Sequence, residues 1–482
     1  MLLAVLVAAF LPAGTGLSAQ SLRLAHLFSD HAVLQRETDV PVWGWGEPGA
    51  TVKVCGSWDG TTVKTRVAAD STWRVELSSG AAGGPYTLTV SSGRETLTLE
   101  DIALGEVWIC SGQSNMEMPV RGFGFQKVEG AREAILAAPA TQRQIRVFDI
   151  KTGKCTAPIP DVEASWALST AEVAAETSAI AYFFAWHLAQ DLDVPVGIIV
   201  NAWGGSRIEP WMTRESIASA GISAEDRAFI DSIEEKPDRW PETTALIWNG
   251  RVKPIAGYAA KGIIWYQGCS NLGPAQDCYD KLQAAMVKLW RREWGRDLPF
   301  IYTLLAPHAY GDANYWGRPS FVLTQLHTEA LLDNAWAVCT ETLGDRVTIH
   351  PARKQPVADM MVQRALQNVY GIHPGWCIEL PRPASVEYLE DGRVKVQLTY
   401  VWSNLMDITD RGIRGFELAG DDRQFKPAEA EVDWDGQTIF VKCEAVPRPV
   451  AVRYGFRNWM DANLQTSYGI PVPPFRTDNW DL

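Results

Sequence analysis

Four polar turns in this chain carry groups that can do chemistry together. Ser114 lies in Cys110-Ser111-Gly112-Gln113-Ser114-Asn115-Met116, and Gly204-Gly205 follow Asn201-Ala202-Trp203. Gln267-Gly268 follow Trp265-Tyr266, and His350 stands in Ile349-His350-Pro351. These are the parts of acyl transfer: Ser114 as nucleophile and His350 as the general base that takes its proton. Backbone N–H groups at Ser114 and Gly205, with the side-chain amide of Gln267, can hold the oxyanion that forms. The two glycines let the backbone approach a substrate closely. Each turn also has a plainer reading: a serine in a Gly-Ser bend, a tight glycine loop, a histidine capping a turn before proline. What favours chemistry is their shared position.

Each turn follows an apolar run that reads as a buried strand. The runs are Ile102 to Ile109, Val194 to Val200, Gly262 to Tyr266 and Ala335 to Thr340, with Leu298 to Leu305 as a further strand. Helical periodicity separates them, over about 176–189, 279–294, 321–332 and 356–369. Strands alternating with helices predict an α/β fold, a doubly wound parallel sheet covered on both faces. In such a sheet the turns emerge at one edge, so residues far apart in sequence meet in one crevice. Before and after this region the texture is β. Short alternating runs punctuated by Gly, Pro and Asp predict sandwich-like units at both ends. The expected organisation is a leader over 1–19, an N-terminal β domain over 20–100, an α/β domain over 101–380 and a C-terminal β region over 381–482.

The leader is expected because the first nineteen residues carry no acidic or basic side chain. The apolar core Leu2 to Leu11 is too short to span a bilayer and fits a secretory signal peptide. No later stretch reaches transmembrane length, so the chain is expected to be secreted or otherwise extracytoplasmic, with no membrane span. A net charge of −13 argues against nucleic acid or anionic membrane as partner. None of the eight cysteines forms a CxxC pair or a Cys/His spacing suited to zinc, and no metal and no cofactor are expected. Twenty-one tryptophans suit either sugar rings or core packing.

The chain resembles the sialate O-acetylesterase family of the SGNH-hydrolase class. The likeness runs through Val42-Trp43-Gly44-Trp45-Gly46, Ser111-Gly112-Gln113-Ser114-Asn115-Met116-Glu117-Met118 and Trp203-Gly204-Gly205. It continues in Trp248-Asn249-Gly250, Trp265-Tyr266-Gln267-Gly268, Ile349-His350-Pro351 and the terminal Pro474-Phe475-Arg476-Thr477-Asp478. The resemblance implies an SGNH-type sheet and removal of O-acetyl groups from sugars without a metal. Ser114 and His350 match the family's nucleophile and base, and Gly205 and Gln267 sit where its oxyanion donors are expected. Trp203 and Arg207, beside the glycines, are candidates for holding the saccharide. Arg207 either pairs bidentately with a substrate carboxylate or is spent on Glu209.

Two departures bear on catalysis. The family usually has a glutamate where this chain has Cys269, and an aspartate where it has Thr348. A triad acid orients the imidazole and stabilises the imidazolium, and replacing it by an amide in one protease lowers turnover about 10⁴-fold. Thr348, Asp345 or a backbone carbonyl is left to orient His350. Cys269 reads as a passive replacement, with no basic neighbour evident to activate it. Two readings follow: an esterase with an atypical acid, or an impaired relative that binds acetylated glycans.

Overall fold

A computed structural model describes residues 21–480 other than 142, 152, 154, 235–242, 374 and 410. The leader expected over 1–19 lies outside the described residues. The spine of the molecule is one eighteen-residue strand, β1 (Glu95–Gly112). Its first half pairs antiparallel with Gly83–Ser92, which continues through Thr51–Gly56 to Thr62–Arg66. Buried and exposed residues alternate along Thr72–Ser78 and nearly so along Thr51–Gly56, as sheets with one wet face require.

The second half of β1 is buried throughout and joins a parallel sheet. The other strands are β2 (Ile145–Asp149), β3 (Trp166–Leu168), β4 (Val196–Ala202), β5 (Gly262–Tyr266), β6 (Phe300–Thr303) and β7 (Ala335–Val338). Their spatial order is β3-β2-β4-β1-β5-β6-β7, with only β3 antiparallel. The chain lays down one side of β1 and then the other, which is the expected doubly wound plan. The direction reverses on either side of β1, and a crevice opens there at the strands' carboxyl ends. The border expected at 100/101 falls inside β1, so the N-terminal β unit and the parallel sheet share a strand.

Both faces are covered by helices. Trp265 pairs in register with Ser111 and so lies on the face opposite Trp108. Trp108 packs edge-on against Phe184 of α1 (Ala179–Leu192), with ring centroids 5.0 Å apart. Trp265 packs against Trp290 of α2 (Tyr279–Trp294) at 6.1 Å. α3 (Gly317–Leu331) lies against α2, and α4 (Gln355–Asn368) against α1. α1 begins three residues later than its periodicity suggests. Glu176 ends a separate short helix, and Ser178 caps α1 by accepting the N–H of Ala181. α3 begins four residues early because Pro319 falls in its first turn, where a missing N–H costs nothing.

One apolar core runs through the N-terminal unit and the α/β layers, and a second fills the sheets between Val394 and Phe475. The two are tied at Arg318 of α3, fully buried. It donates to both oxygens of Glu341 and to the carbonyls of Gly455 and Arg457.

Candidate active site

β1 ends at Gly112, where a φ of +142° and a Cβ that would lie 2.2 Å from the Tyr266 carbonyl oxygen exclude a larger residue. The turn is then pinned to both neighbouring strands. Gln113 N–H donates to the Tyr266 carbonyl at 2.9 Å, and Trp203 N–H donates to the Gly112 carbonyl at 2.9 Å. Ser114 follows as the first residue of a single helical turn, Ser114–Glu117.

His350 arrives from the long loop after β7. Its Nε2 lies 2.8 Å from Ser114 Oγ, so the structure brings together the two residues expected as nucleophile and base. Asn115 holds the two loops in this relation: its Nδ2 donates to the Ile349 carbonyl at 3.0 Å, and its Oδ1 accepts from Lys354 Nζ. Phe123 packs edge-on against the imidazole, centroids 5.4 Å apart.

None of the three groups expected to orient His350 does so. The ring's Nδ1 lies 2.8 Å from Gln126 Oε1. Gln126 Nε2 in turn donates to Thr348 Oγ1 at 2.9 Å, which fixes the amide with its oxygen toward the ring. Thr348 therefore acts one step removed. Asp345 is spent on the backbone N–H groups of Val347 and Thr348, at 2.8 and 3.0 Å. Gln126 was not evident in the sequence because it ends no strand and an amide carries no charge signal. An Nδ1–H donated to Gln126 leaves the Nε2 lone pair toward Ser114, the tautomer a base needs. Partial burial, then the charges of Lys354 and His308, lower the His350 pKa to about 4. The ring is thus neutral above that pH.

Gln267 is a correction. It is fully buried, and its Nε2 faces Gln113 Oε1, Ser206 O and Asn271 Oδ1 at 3.1, 3.0 and 2.8 Å. Two hydrogens facing three protein acceptors leave none for an oxyanion. Its Oε1 accepts from Tyr279 at 2.6 Å, so the side chain knots β5 to β1 and α2. Gly204 N–H donates to Glu117 Oε2 at 2.8 Å, and burial raises the pKa of that carboxyl. Gly205 is exposed at φ +72°, and its N–H has no partner among the described residues.

Arg207 is likewise not a substrate clamp. It is buried, donates from Nε and Nη2 to Glu209 and from Nη1 to the Ser270 carbonyl. Trp203 stands beside the glycines, half-buried, with the Arg251 guanidinium 4.4 Å over its ring.

Cys269 does have a basic neighbour, contrary to expectation. Lys354, itself buried, acts on the partly buried thiol electrostatically, yet desolvation outweighs that charge and raises the thiol pKa. Tyr310 O–H donates to the sulfur at 3.5 Å. Burial also lowers the Lys354 pKa to about 7, the consequence of a buried ammonium that pairs with no carboxylate among the described residues. None of the eight cysteines is disulfide-bonded.

The proteins this chain resembles make it a carboxylic-ester hydrolase. Residues 104–351 match the family described as carbohydrate esterase, sialic acid-specific acetylesterase. The chain is 27% identical to the sialate O-acetylesterase of Mus musculus, covering 94% of each protein. It is 28% identical to that of Homo sapiens, over 94% of this chain and 92% of the relative. A crystal structure of a carbohydrate acetylesterase from Xanthomonas citri superposes with a TM-score of 0.83 at 32% identity. That match covers 95% of this chain and all of the other. The protein belongs to the sialic acid-specific acetylesterase family of carbohydrate esterases.

Proposed function

We propose that the protein removes O-acetyl groups from saccharides by Ser114–His350 catalysis, with Gln126 in the place of a triad acid. Ser114 Oγ attacks the acetyl carbon as its proton passes to His350 Nε2. The oxyanion is held by the N–H groups of Ser114 and Gly205. Collapse expels the sugar oxygen, which takes the proton back from Nε2, leaving acetyl-Ser114. Water, deprotonated by the same nitrogen, then releases acetate and restores the serine. An amide carbonyl stabilises the imidazolium less than a carboxylate does, so turnover is expected to be slow but real.

The observation that carries this reading is the 2.8 Å contact from Ser114 Oγ to His350 Nε2, continued at 2.8 Å to Gln126. That contact supports catalysis over the reading of a protein that only binds acetylated glycans. The relatives' names point to sugars, sialic acid among them, as carriers of the acetyl group. Export belongs to the same reading and rests on the leader sequence. Acetate release from acetylated saccharides is the test. Ser114→Ala should reduce it by at least 10³-fold, since the residual comes from binding and the oxyanion site alone. Undiminished release in that variant would show that another group is the nucleophile.

A further inference from the structure

Two apolar side chains stand in solvent beside His350: Phe125 is fully exposed and Val347 is 88% exposed. Each tips a tight turn that also handles the imidazole. Phe123 and Gln126 exchange backbone hydrogen bonds at 2.9 and 2.7 Å, which leaves Gly124 and Phe125 as the tip between them. Val347 tips the turn closed by the Asp345 carboxylate. The two turns are joined by the hydrogen bond from Gln126 to Thr348. Phe125 and Val347 each precede one member of that joined pair, so they flank the same edge of the site.

The reaction itself says what comes to this edge. His350 Nε2 must return a proton to the departing oxygen, so that oxygen lies within hydrogen-bond reach of the ring. The alcohol half of the ester therefore sits on the His350 side of Ser114, and the acetyl half on the other. In an O-acetylated saccharide the alcohol half is the sugar. A pyranose ring has an apolar C–H face, and covering an aromatic ring with it removes apolar area from water on both partners.

We propose that Phe125 and Val347 form the subsite for the sugar ring bearing the acetyl group, with its C–H face laid on Phe125. The inference rests on the esterase reading above and adds to it where the alcohol half binds. It also accounts for a fully exposed phenylalanine at the end of a turn that needs no aromatic there.

The test compares peracetylated methyl glucoside with 4-nitrophenyl acetate, whose leaving group is not a sugar. In Phe125→Ala, KM for the glycoside should rise about tenfold with kcat within twofold of wild type. The ratio of kcat/KM for glycoside to that for the small ester should fall about tenfold. Phe125→Trp should restore the ratio, and Val347→Ser should lower it in the same sense. An unchanged ratio in Phe125→Ala overturns the subsite. So does a parallel loss on both substrates, which would make the tip only a brace for Gln126. A wild-type enzyme that cleaves neither substrate overturns the esterase reading itself, and one that cleaves the small ester but no acetylated saccharide overturns the saccharide as its substrate and this subsite with it. Since Phe125 and Val347 are both exposed, thermal melts of the variants should coincide with wild type.

Discussion

Replacing Gln126 by glutamate puts a charge where the site now has an amide dipole. The contact to His350 Nδ1 is 2.8 Å, and Thr348 can turn its hydroxyl to donate to the new carboxylate. With charge centres about 4 Å apart and an effective dielectric constant near 20, the imidazolium gains about 4 kcal/mol. Partial desolvation of the carboxylate offsets roughly half, leaving about 2 kcal/mol. That is about 1.5 pKa units and about thirtyfold in a step whose transition state carries the imidazolium. The base works neutral, so its folded-state pKa of about 4 sets the acid limb of kcat/KM in the parent enzyme. In Gln126→Glu the limb should move up to roughly pH 5.5, with activity lost at a higher pH on acidification. The plateau above it should rise about thirtyfold. Initial rates on 4-nitrophenyl acetate between pH 3 and 9 measure both. A limb that stays near 4, or a plateau that falls, would refute Gln126 as the group facing Nδ1 in the working enzyme.

Other outcomes follow from the buried charges. Lys354 titrates near 7 when folded against 10.5 when unfolded. Between those values the unfolded chain binds more protons, so this lysine makes stability rise with pH, by at most about 1.4 kcal/mol per unit. Urea denaturation at pH 7 and 9.5 should show the stability of wild type minus that of Lys354→Met increasing with pH. A constant difference would mean the ammonium is not destabilised. Arg207→Ala should cost about 3–5 kcal/mol in urea denaturation, because it leaves Glu209 buried without its cation. Near-wild-type stability with a raised KM for an anionic sugar would instead make Arg207 a substrate ligand.

The fold was largely readable because a parallel sheet buried on both faces writes itself as continuous apolar runs, as in Val107-Trp108-Ile109-Cys110 and Ile263-Ile264-Trp265. His350 stands at the far end of a long loop after β7 and was marked by Ile349-His350-Pro351, whereas Ser114 was readable because it follows such a run directly. Gln267 follows one too, and misled for that reason. Its position suits an oxyanion donor, but Gln113, Ser206 and Asn271 converge on it from separate turns and occupy its hydrogens. Arg207 showed both its readings in sequence, since Glu209 is two residues away, and only burial chose between them. Gln126 was not readable at all. It reaches His350 across 224 positions from a turn with no periodic signature. Likewise the border at 100/101 marks a true change of texture, yet no sequence pattern tells a strand that ends there from one that runs on.

That unbroken strand has an engineering consequence. At about 3.3 Å per residue β1 is roughly 60 Å of continuous chain, hydrogen-bonded to one partner set in its first half and another in its second. The N-terminal unit is therefore no cassette to be clipped off or traded for a different appendage. A chain begun at Glu95 would keep its serine, its histidine and its helices. It would also present half of its longest strand as a naked template for neighbouring copies to extend. A search for a minimal esterase in this protein should trim from the other end, where a second core begins and Arg318 and Asn458 carry hydrogen bonds across the seam.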